Sequence, residues 1–415
     1  IMKYVIIGNS AAGIGAVQGI RSVDKNSQIV VISDEKYHTY SRPLISYWLK
    51  GAVTEENMRY RNDDFYTTNG VETKLGVKVT AIDAKAKKVT LDSGEEVAYD
   101  KLLNATGSKP FVPPMEGLET VKNKHSFMKF DDAKAIKEEI KEGAKVLIVG
   151  AGLIGLKAAE ALEHYGADIT VIDLADRILP SILDKEASAI MQAHIESKGV
   201  KFMLGTSAKK FTADSAELTN GETVKFDMLI LAVGVRPNTE LIAAAGGKVN
   251  RGIETDDTQA VSGLTDVYAA GDCTESYDIT TASQKIIAIL PNAFLQGEVA
   301  GKNMAGAEAH LENAMPMNAI GFFGLHIITA GSYDGDAYVE HDGTNYKKLV
   351  TKDDELKGFI LMGNIKRAGI YTSLIKQHIK LSECDFEMLK KDPQMMAFSR
   401  ERRNEKLAGG VGNVR

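Results

Sequence analysis

The sequence predicts an α/β fold: two parallel-sheet βαβ units with β-meander insertions, followed by an α+β segment. Three observations predict it. Residues 3–35 and 145–173 share one layout: an apolar run, a glycine-rich turn, an alanine-rich helical stretch, a second apolar run and an acid. Each matches a βαβ pattern of about thirty residues. Short strand and turn patterns fill the stretch between them, and past residue 320 strands with turns at Asp342-Gly343 and Asp353-Asp354 replace the earlier pattern. The chain's 415 residues suit a few domains of ordinary size.

The first unit opens with the apolar run Lys3–Ile7 and the turn Gly8-Asn9-Ser10-Ala11-Ala12-Gly13. In a dinucleotide-binding turn the first glycine permits the sharp bend. The second position lets the backbone approach a pyrophosphate, and the third glycine packs helix on strand. The helix that follows presents free N–H groups and its positive dipole end to phosphates. Ser10 replaces the second glycine; it is small and can donate a hydrogen bond. The strand Ile29–Ile32 runs into Ser33-Asp34-Glu35, and Glu35, 22 residues after Gly13, is placed to accept from an adenosine ribose, with Asp34 as the competing candidate.

The second unit is a fuller version. The strand Lys145–Val149 leads into Gly150-Ala151-Gly152-Leu153-Ile154-Gly155, and the next strand, Asp168–Ile172, ends at Asp173, 18 residues after Gly155. An acid there accepts from two free ribose hydroxyls and repels a 2′-phosphate. This predicts NADH rather than NADPH, although Arg177 is nearby.

The remaining elements follow in order. Lys74–Leu91 alternates apolar and polar residues and turns at Asp92-Ser93-Gly94, the pattern of a β-meander, and Val97–Ala105 reads as a buried strand. Pro110, Pro113, Pro114 and Gly117 punctuate a linker. Phe226–Val233 reads as another buried strand, and Val267–Ala270 as a short one stopped by Gly271-Asp272. Asn292–Met304 and about Tyr371–Ile379 have helical patterns.

With these motifs in view, the sequence resembles the pyridine nucleotide–disulfide oxidoreductase superfamily over about residues 2–310. Within it, the resemblance is greatest to FAD-dependent NADH:rubredoxin and ferredoxin reductases and to the flavin part of NADH-dependent nitrite reductase. Four further stretches carry it: Tyr99–Gly107 with its Ala-Thr-Gly, Phe226–Asn238 with Gly234-Val235-Arg236-Pro237-Asn238, Thr265–Asp272, and Tyr40-Ser41-Arg42-Pro43. The resemblance implies two Rossmann-like dinucleotide-binding domains, with FAD at the first site and NAD(H) at the second. It implies FAD contacts from Gly8, Ser10, Ala12, Gly13, Glu35, Arg42, Pro43, Thr106, Gly107 and Asp272, with Asp272 on the ribityl chain and Arg42 near the flavin. Gln296 and Gly297 open a helical turn that lies beside the flavin in this family. For NAD it implies Gly150, Gly152, Leu153, Ile154, Gly155, Asp173 and Gly234. The expected division is 1–115 and 243–320 for the FAD domain, 116–242 for the NAD domain, and 321–415 for a C-terminal α+β interface domain with a charged tail.

Two features depart from the family pattern. No cysteine precedes Cys273, so reduction of a disulfide by an early active-site cysteine is not expected. Cys273 directly follows Asp272 and is expected to pack rather than react, and Cys384 to be incidental. Lys157 stands two residues after the last glycine, where relatives usually carry Glu. It is a candidate catalytic residue that stabilises reduced anionic flavin, or else a helix residue reaching for solvent.

Composition excludes several classes. A net charge of −6 gives no support to nucleic-acid binding. Two widely separated cysteines speak against a secreted disulfide scaffold, and no Cys cluster is available for an iron–sulfur centre. No apolar run reaches the ~18 residues of a membrane span. The basic-then-apolar opening of a signal peptide is not seen, so a cytoplasmic protein is expected. No metal is expected.

Pro316–Gly331 and Lys366–Tyr371 look like the C-terminal module of related FAD oxidoreductases, which mediates dimer contacts or covers the flavin. The tail from Arg400 to Lys406, with four basic and two acidic residues, reads as a solvated helix face or as a dock for an acidic electron carrier. The expected activity is NADH:acceptor oxidoreduction through FAD, with a redox protein such as rubredoxin or ferredoxin as acceptor. The alternatives are a flavin subunit of a nitrite or aldehyde oxidoreductase complex, and a nucleotide-bound regulatory protein with little turnover.

Overall fold

The computed structural model describes residues 1–404. Two parallel five-stranded sheets share the arrangement of four strands and differ in the fifth, which comes from late in the chain in the first sheet and from before the glycine turn in the second. In the first, the strand Lys3–Ile7 lies between Gln28–Ser33 and Lys101–Asn104; Val71–Leu75 extends one side and Val267–Ala269 the other. In the second, Lys145–Val149 lies between Asp168–Asp173 and Met228–Leu231, extended by Lys201–Leu204 and Lys124–His125. The central strands are buried along nearly their whole length, which is why both read as continuous apolar runs. Each sheet is interrupted in the chain by a three-stranded antiparallel meander, Val79–Ala98 between Val71–Leu75 and Lys101–Asn104 in the first, and Ala208–Lys225 between Lys201–Leu204 and Met228–Leu231 in the second.

The strand boundaries differ from the sequence reading between residues 71 and 104. The meander starts at Val79, because Val71–Leu75 pairs in parallel with Gln28–Ser33. The run Val97–Ala105 is two strands: Glu96–Ala98 completes the meander, and Lys101–Asn104 joins the parallel sheet after a turn at Tyr99-Asp100. Both pieces are apolar, and periodicity does not separate an alternating strand from the buried one that follows.

Two helices far apart in sequence, Ala11–Val23 and Leu290–Met304, pack at backbone contact. A Cβ added at Gly15 would meet Phe294 O at 2.2 Å, at Gly297 it would meet Ala12 O at 1.9 Å, and at Gly301 it would meet Ala16 O at 2.3 Å. Glycines on both partners allow this approach, which brings the segment after Val267–Ala269 onto the first glycine turn.

The described chain divides into two compact units. One comprises Ile1–Leu179, Gly199–Tyr277 and Gln284–Ala314, and the other Pro180–Lys198, Asp278–Ser283 and the chain from Met315. The second unit contains a five-stranded antiparallel sheet in the order Met317–Phe322, Leu325–Gly331, Glu355–Met362, Asn345–Lys352, Asp336–Asp342. The helix Ala368–Lys376 covers it through Tyr371, Leu374 and Ile375. Of the charged tail, Glu405 and Lys406 lie outside the described residues; Arg402 pairs with Glu383. No helix among the described residues is long and apolar enough to cross a membrane.

Candidate functional site

The two glycine turns impose the same constraints at matching positions. Gly8 and Gly150 have φ of 123° and 117°, and a Cβ on either would strike the carbonyl of Ala105 (2.1 Å) or Ala232 (2.2 Å). Only glycine fits both the angle and the space. Gly13 and Gly155 would strike Gly8 O at 2.0 Å and Gly150 O at 1.9 Å. The middle positions differ from these. Ser10 and Gly152 are both extended helix N-caps, with φ of −109° and −86°, and a Cβ at Gly152 would meet nothing within 4 Å. Serine at position 10 is therefore no strain on the turn. The first intrahelical bond is Ile14 N to Ser10 O at 3.0 Å. The amides before it are left for an anion, and no acid occupies the first turn of either helix.

Around the first turn lies a cavity of about 790 Å³, within the roughly 300–1,000 Å³ of ordinary ligand sites. Gly8, Ser10, Ala12, Glu35, Arg42, Pro43, Thr106, Gly107 and Asp272 all line it. Four segments separated by up to 264 residues, from Gly8 to Asp272, thus converge on one space. Gly13 and Gln296 stand behind the wall. Gln296 is fully buried; its Oε1 accepts from Gly271 N at 2.8 Å, and its Nε2 donates to Thr274 Oγ1 at 2.8 Å and Ser276 Oγ at 2.6 Å. It braces the turn that presents Asp272.

The acids of the cavity are in different states. Glu35 is buried, accepts from the Tyr40 hydroxyl at 2.5 Å and pairs with the Arg42 guanidinium. Arg42 also donates to Met128 O at 3.2 Å. The two residues implied for opposite ends of FAD are therefore partners of each other here. Asp272 accepts no hydrogen bond from any described residue. Burial pushes its carboxyl up, opposed by the charge of Arg42. A carboxylate without donors, beside free helix amides and glycines that no side chain could replace, fits a polyhydroxyl, diphosphate ligand such as FAD.

At the second turn, Asp173 ends its strand, and both of its oxygens take backbone donors: Ala151 N at 2.7 Å and Ala175 N at 2.8 Å. Its first visible task is to hold the glycine turn. Each oxygen keeps a second lone pair for a ligand hydroxyl. Gly234, with φ of 119°, follows the strand Met228–Leu231, and its carbonyl accepts from Phe111 N at 2.9 Å.

Lys157 lies on the helix Leu153–Glu163 with its side chain only 12% exposed. Its ammonium pairs with Glu160 and lies 4.8 Å from the centre of the Tyr47 ring. Lys50 pairs with Glu160 at 3.2 Å and lies the same distance from that ring. Burial pushes the Glu160 carboxyl up, but the hydrogen bond and charge of Lys157 prevail and hold it below its ordinary value. Lys157 is a held cation, not a solvated one.

Cys273 has no exposed surface and its thiol is pushed up to about 11, chiefly by burial. Cys384 is partly exposed. Alkylation of the native protein is expected to modify Cys384 and spare Cys273, with a second adduct only after unfolding. Mass spectrometry counts the adducts, and a native Cys273 adduct would reverse this reading.

Sequence reasoning missed several wall residues. Asn9 accepts from the Tyr66 hydroxyl at 2.7 Å and donates to Tyr37 O at 3.3 Å. Asn238 donates through its side chain to Thr106 O at 2.8 Å and through its backbone to Gly107 O at 2.9 Å, so it ties the two crossing segments together. It ends the stretch Gly234-Val235-Arg236-Pro237-Asn238, and its polarity at a strand end is the available signal. Met128 and Lys129 had none.

Comparison with known proteins agrees with this geometry. Residues 2–297 match the family described as pyridine nucleotide-disulphide oxidoreductase, and residues 316–379 match the rubredoxin NAD+ reductase C-terminal domain. The chain is 32% identical over 393 residues to the NADH-dependent phenylglyoxylate dehydrogenase subunit epsilon of Aromatoleum evansii, covering 92% of this chain and 93% of that one. It is 30% identical over 389 residues to the assimilatory nitrate reductase electron transfer subunit of Bacillus subtilis, covering 90% of this chain but 49% of that longer protein. Among solved structures, an NAD-dependent persulfide reductase from A. fulgidus superposes with a TM-score of 0.86 at 27% identity, over 99% of this chain and 84% of the other. The NADH:rubredoxin oxidoreductase from Clostridium acetobutylicum superposes at 0.76 with 25% identity, over 91% and 96%. The chain belongs to the pyridine nucleotide-disulphide oxidoreductase family, oxidoreductases that use FAD and NAD(H).

Proposed function

We propose that this chain oxidises NADH through FAD held in the first cavity and passes the electrons to a redox protein. The convergence of the first glycine turn, Glu35, Arg42-Pro43, Thr106-Gly107 and Asp272 on one cavity is the observation that carries this reading. FAD, when bound, supplies a two-electron acceptor for hydride that can release electrons singly. The protein's part is placement. In this reading Gly8, Ser10, Ala12 and Gly13 leave room and amides for the pyrophosphate, Glu35 accepts from the ribose and Asp272 accepts from the ribityl hydroxyls. Gly150, Gly152, Leu153, Ile154 and Gly155 do the same for NAD(H), with Asp173 on its ribose and Gly234 closing the neighbouring strand end. Lys157 biases the local field as a fixed charge. The two parallel sheets, each with its own glycine turn and meander, support a division into FAD segments 1–115 and 243–320, an NAD segment 116–242 and an interface domain 321–415. A cytoplasmic location and oligomerisation through the C-terminal domain belong to the same reading.

The match of residues 316–379 to a rubredoxin reductase domain supports a small redox protein as acceptor. A second reading, a flavin subunit within a larger dehydrogenase or reductase, is favoured by a different observation. The Aromatoleum relative, matched over nearly the full length of both chains, is itself a subunit. Affinity purification from the native host separates the two: a stoichiometric partner enzyme supports the subunit reading.

The deciding experiment is an anaerobic titration of the FAD-loaded protein with NADH and then NADPH, followed at the visible flavin band. NADH is expected to bleach it and NADPH to do so only at much higher concentration. Retained FAD that NADH does not bleach would leave the regulatory alternative standing.

A further inference from the structure

The unit that contains the antiparallel sheet holds a second cavity, of about 320 Å³. Its wall is cationic: Lys347, Lys366, Arg367 and Lys391 face the single carboxylate of Asp392. These groups differ in what they have left to offer. Lys347, with a side chain 16% exposed, commits its three donors to Glu340 at 2.9 Å, Lys390 O at 2.6 Å and Lys391 O at 3.0 Å. It fixes the end of the helix Phe386–Lys391 and adds charge. Asp392 is engaged by Arg367 at 3.4 Å and by the Gln394 amide at 2.6 Å. Arg367 also donates to Pro393 O at 3.2 Å through the same nitrogen, which leaves its other N–H groups uncommitted among the described residues. Lys366 and Lys391 are exposed and form no ion pair with a described carboxylate, although the charge of Lys391 also acts on Glu340.

We propose that this cavity binds a small phosphate-class anion, either free phosphate or a phosphate monoester. Like charges gathered around one small space repel each other, and an anion between them turns that repulsion into attraction. A carboxylate brings one charge and two acceptor oxygens. A phosphate brings nearly two charges and three or more acceptors, which suits two uncommitted ammonium groups and a guanidinium approaching from different residues. The volume lies near the lower end of ligand sites, roughly 300 Å³, which suits a small solute.

The test is calorimetry on the FAD-loaded protein with saturating NAD+, so that both glycine turns are filled. Inorganic phosphate and glycerol phosphate are titrated separately at constant ionic strength set with chloride. One saturable event per chain is expected. In a Lys366→Ala, Lys391→Ala double variant the affinity is expected to fall by about tenfold or more, with the flavin spectrum and its bleaching by NADH unchanged. The tighter of the two probes identifies the free anion or the ester as the ligand. Absence of saturable binding, or binding that the double variant leaves intact, overturns the proposal.

Discussion

Replacing Gly297 with alanine is expected to destabilise the protein by about 3 kcal/mol or more and to release FAD. In an ordinary helix interior the same change stabilises by about 1 kcal/mol, so here the sign itself is the test. The added Cβ would sit 1.9 Å from Ala12 O, 2.7 Å from Ala12 C and 2.9 Å from Ala12 Cα. All three are backbone atoms, so no side chain can swing away; the helices must separate, and overpacking of that kind typically costs about 1–3 kcal/mol, occasionally more. Gly301 and Gly15 would lose their close approach together with Gly297. Gln296, the preceding residue, would carry the Gly271-Asp272 turn with it. Denaturant midpoints and the flavin released on gel filtration measure the two effects. Lys302→Ala, on the solvent side of the same helix, is the control. An unchanged midpoint for Gly297→Ala would mean that the interlock is not tight in solution.

Asp173→Ala is expected to weaken NADH binding by about ten- to a hundredfold, the effect of losing charge-assisted hydrogen bonds of about 1.5–3 kcal/mol. The structure gives Asp173 one task and the proposed function adds a second, and the two respond differently. As acceptor for Ala151 N and Ala175 N it shapes the turn for any dinucleotide. As the proposed ribose acceptor it would favour NADH over NADPH. Loss of the first weakens both nucleotides equally; loss of the second narrows the ratio between them. Binding of both to wild type and variant, with FAD content unchanged, separates the tasks. A ratio that stays constant while both affinities fall would assign Asp173 to the turn alone.

What the sequence revealed was what is local. The glycine turns, their strands and the acids after them lie within about thirty residues, and each has a steric or electrostatic requirement that few residue types meet. Ser10 takes the place of the second glycine without strain, because the middle position is extended and a Cβ at its counterpart Gly152 would meet open space. What stayed hidden depends on segments distant in the chain. The interlock of Gly15 with Phe294 and of Gly297 with Ala12 has no signature in either helix alone. The pairing of Glu35 with Arg42 was hidden for another reason: the two lie seven residues apart across irregular chain, with no helical or strand period to bring them together. The meander at Ala208–Lys225 escaped because its strands are short and Lys209 and Lys210 break the alternation. The ring beside Lys157, Tyr47, and the second lysine on Glu160, Lys50, come from a segment over a hundred residues earlier.

The sheet around the first glycine turn is finished late. Its strands between Lys3 and Asn104 leave the ribosome early, but the outer partner of Lys101–Asn104 is Val267–Ala269, and the helix that locks onto Ala11–Val23 ends only at Met304. Every strand of the second parallel sheet lies between those two parts, from Lys124 to Leu231. During synthesis the second sheet can therefore close while the first still has an open edge, exposed to pairing with other nascent chains. A chain released near residue 250 would possess a complete second sheet and an unfinished first one. The wall of the first cavity, which includes Asp272, Leu290 and Ala293, is thus complete only once that late part of the chain has been made.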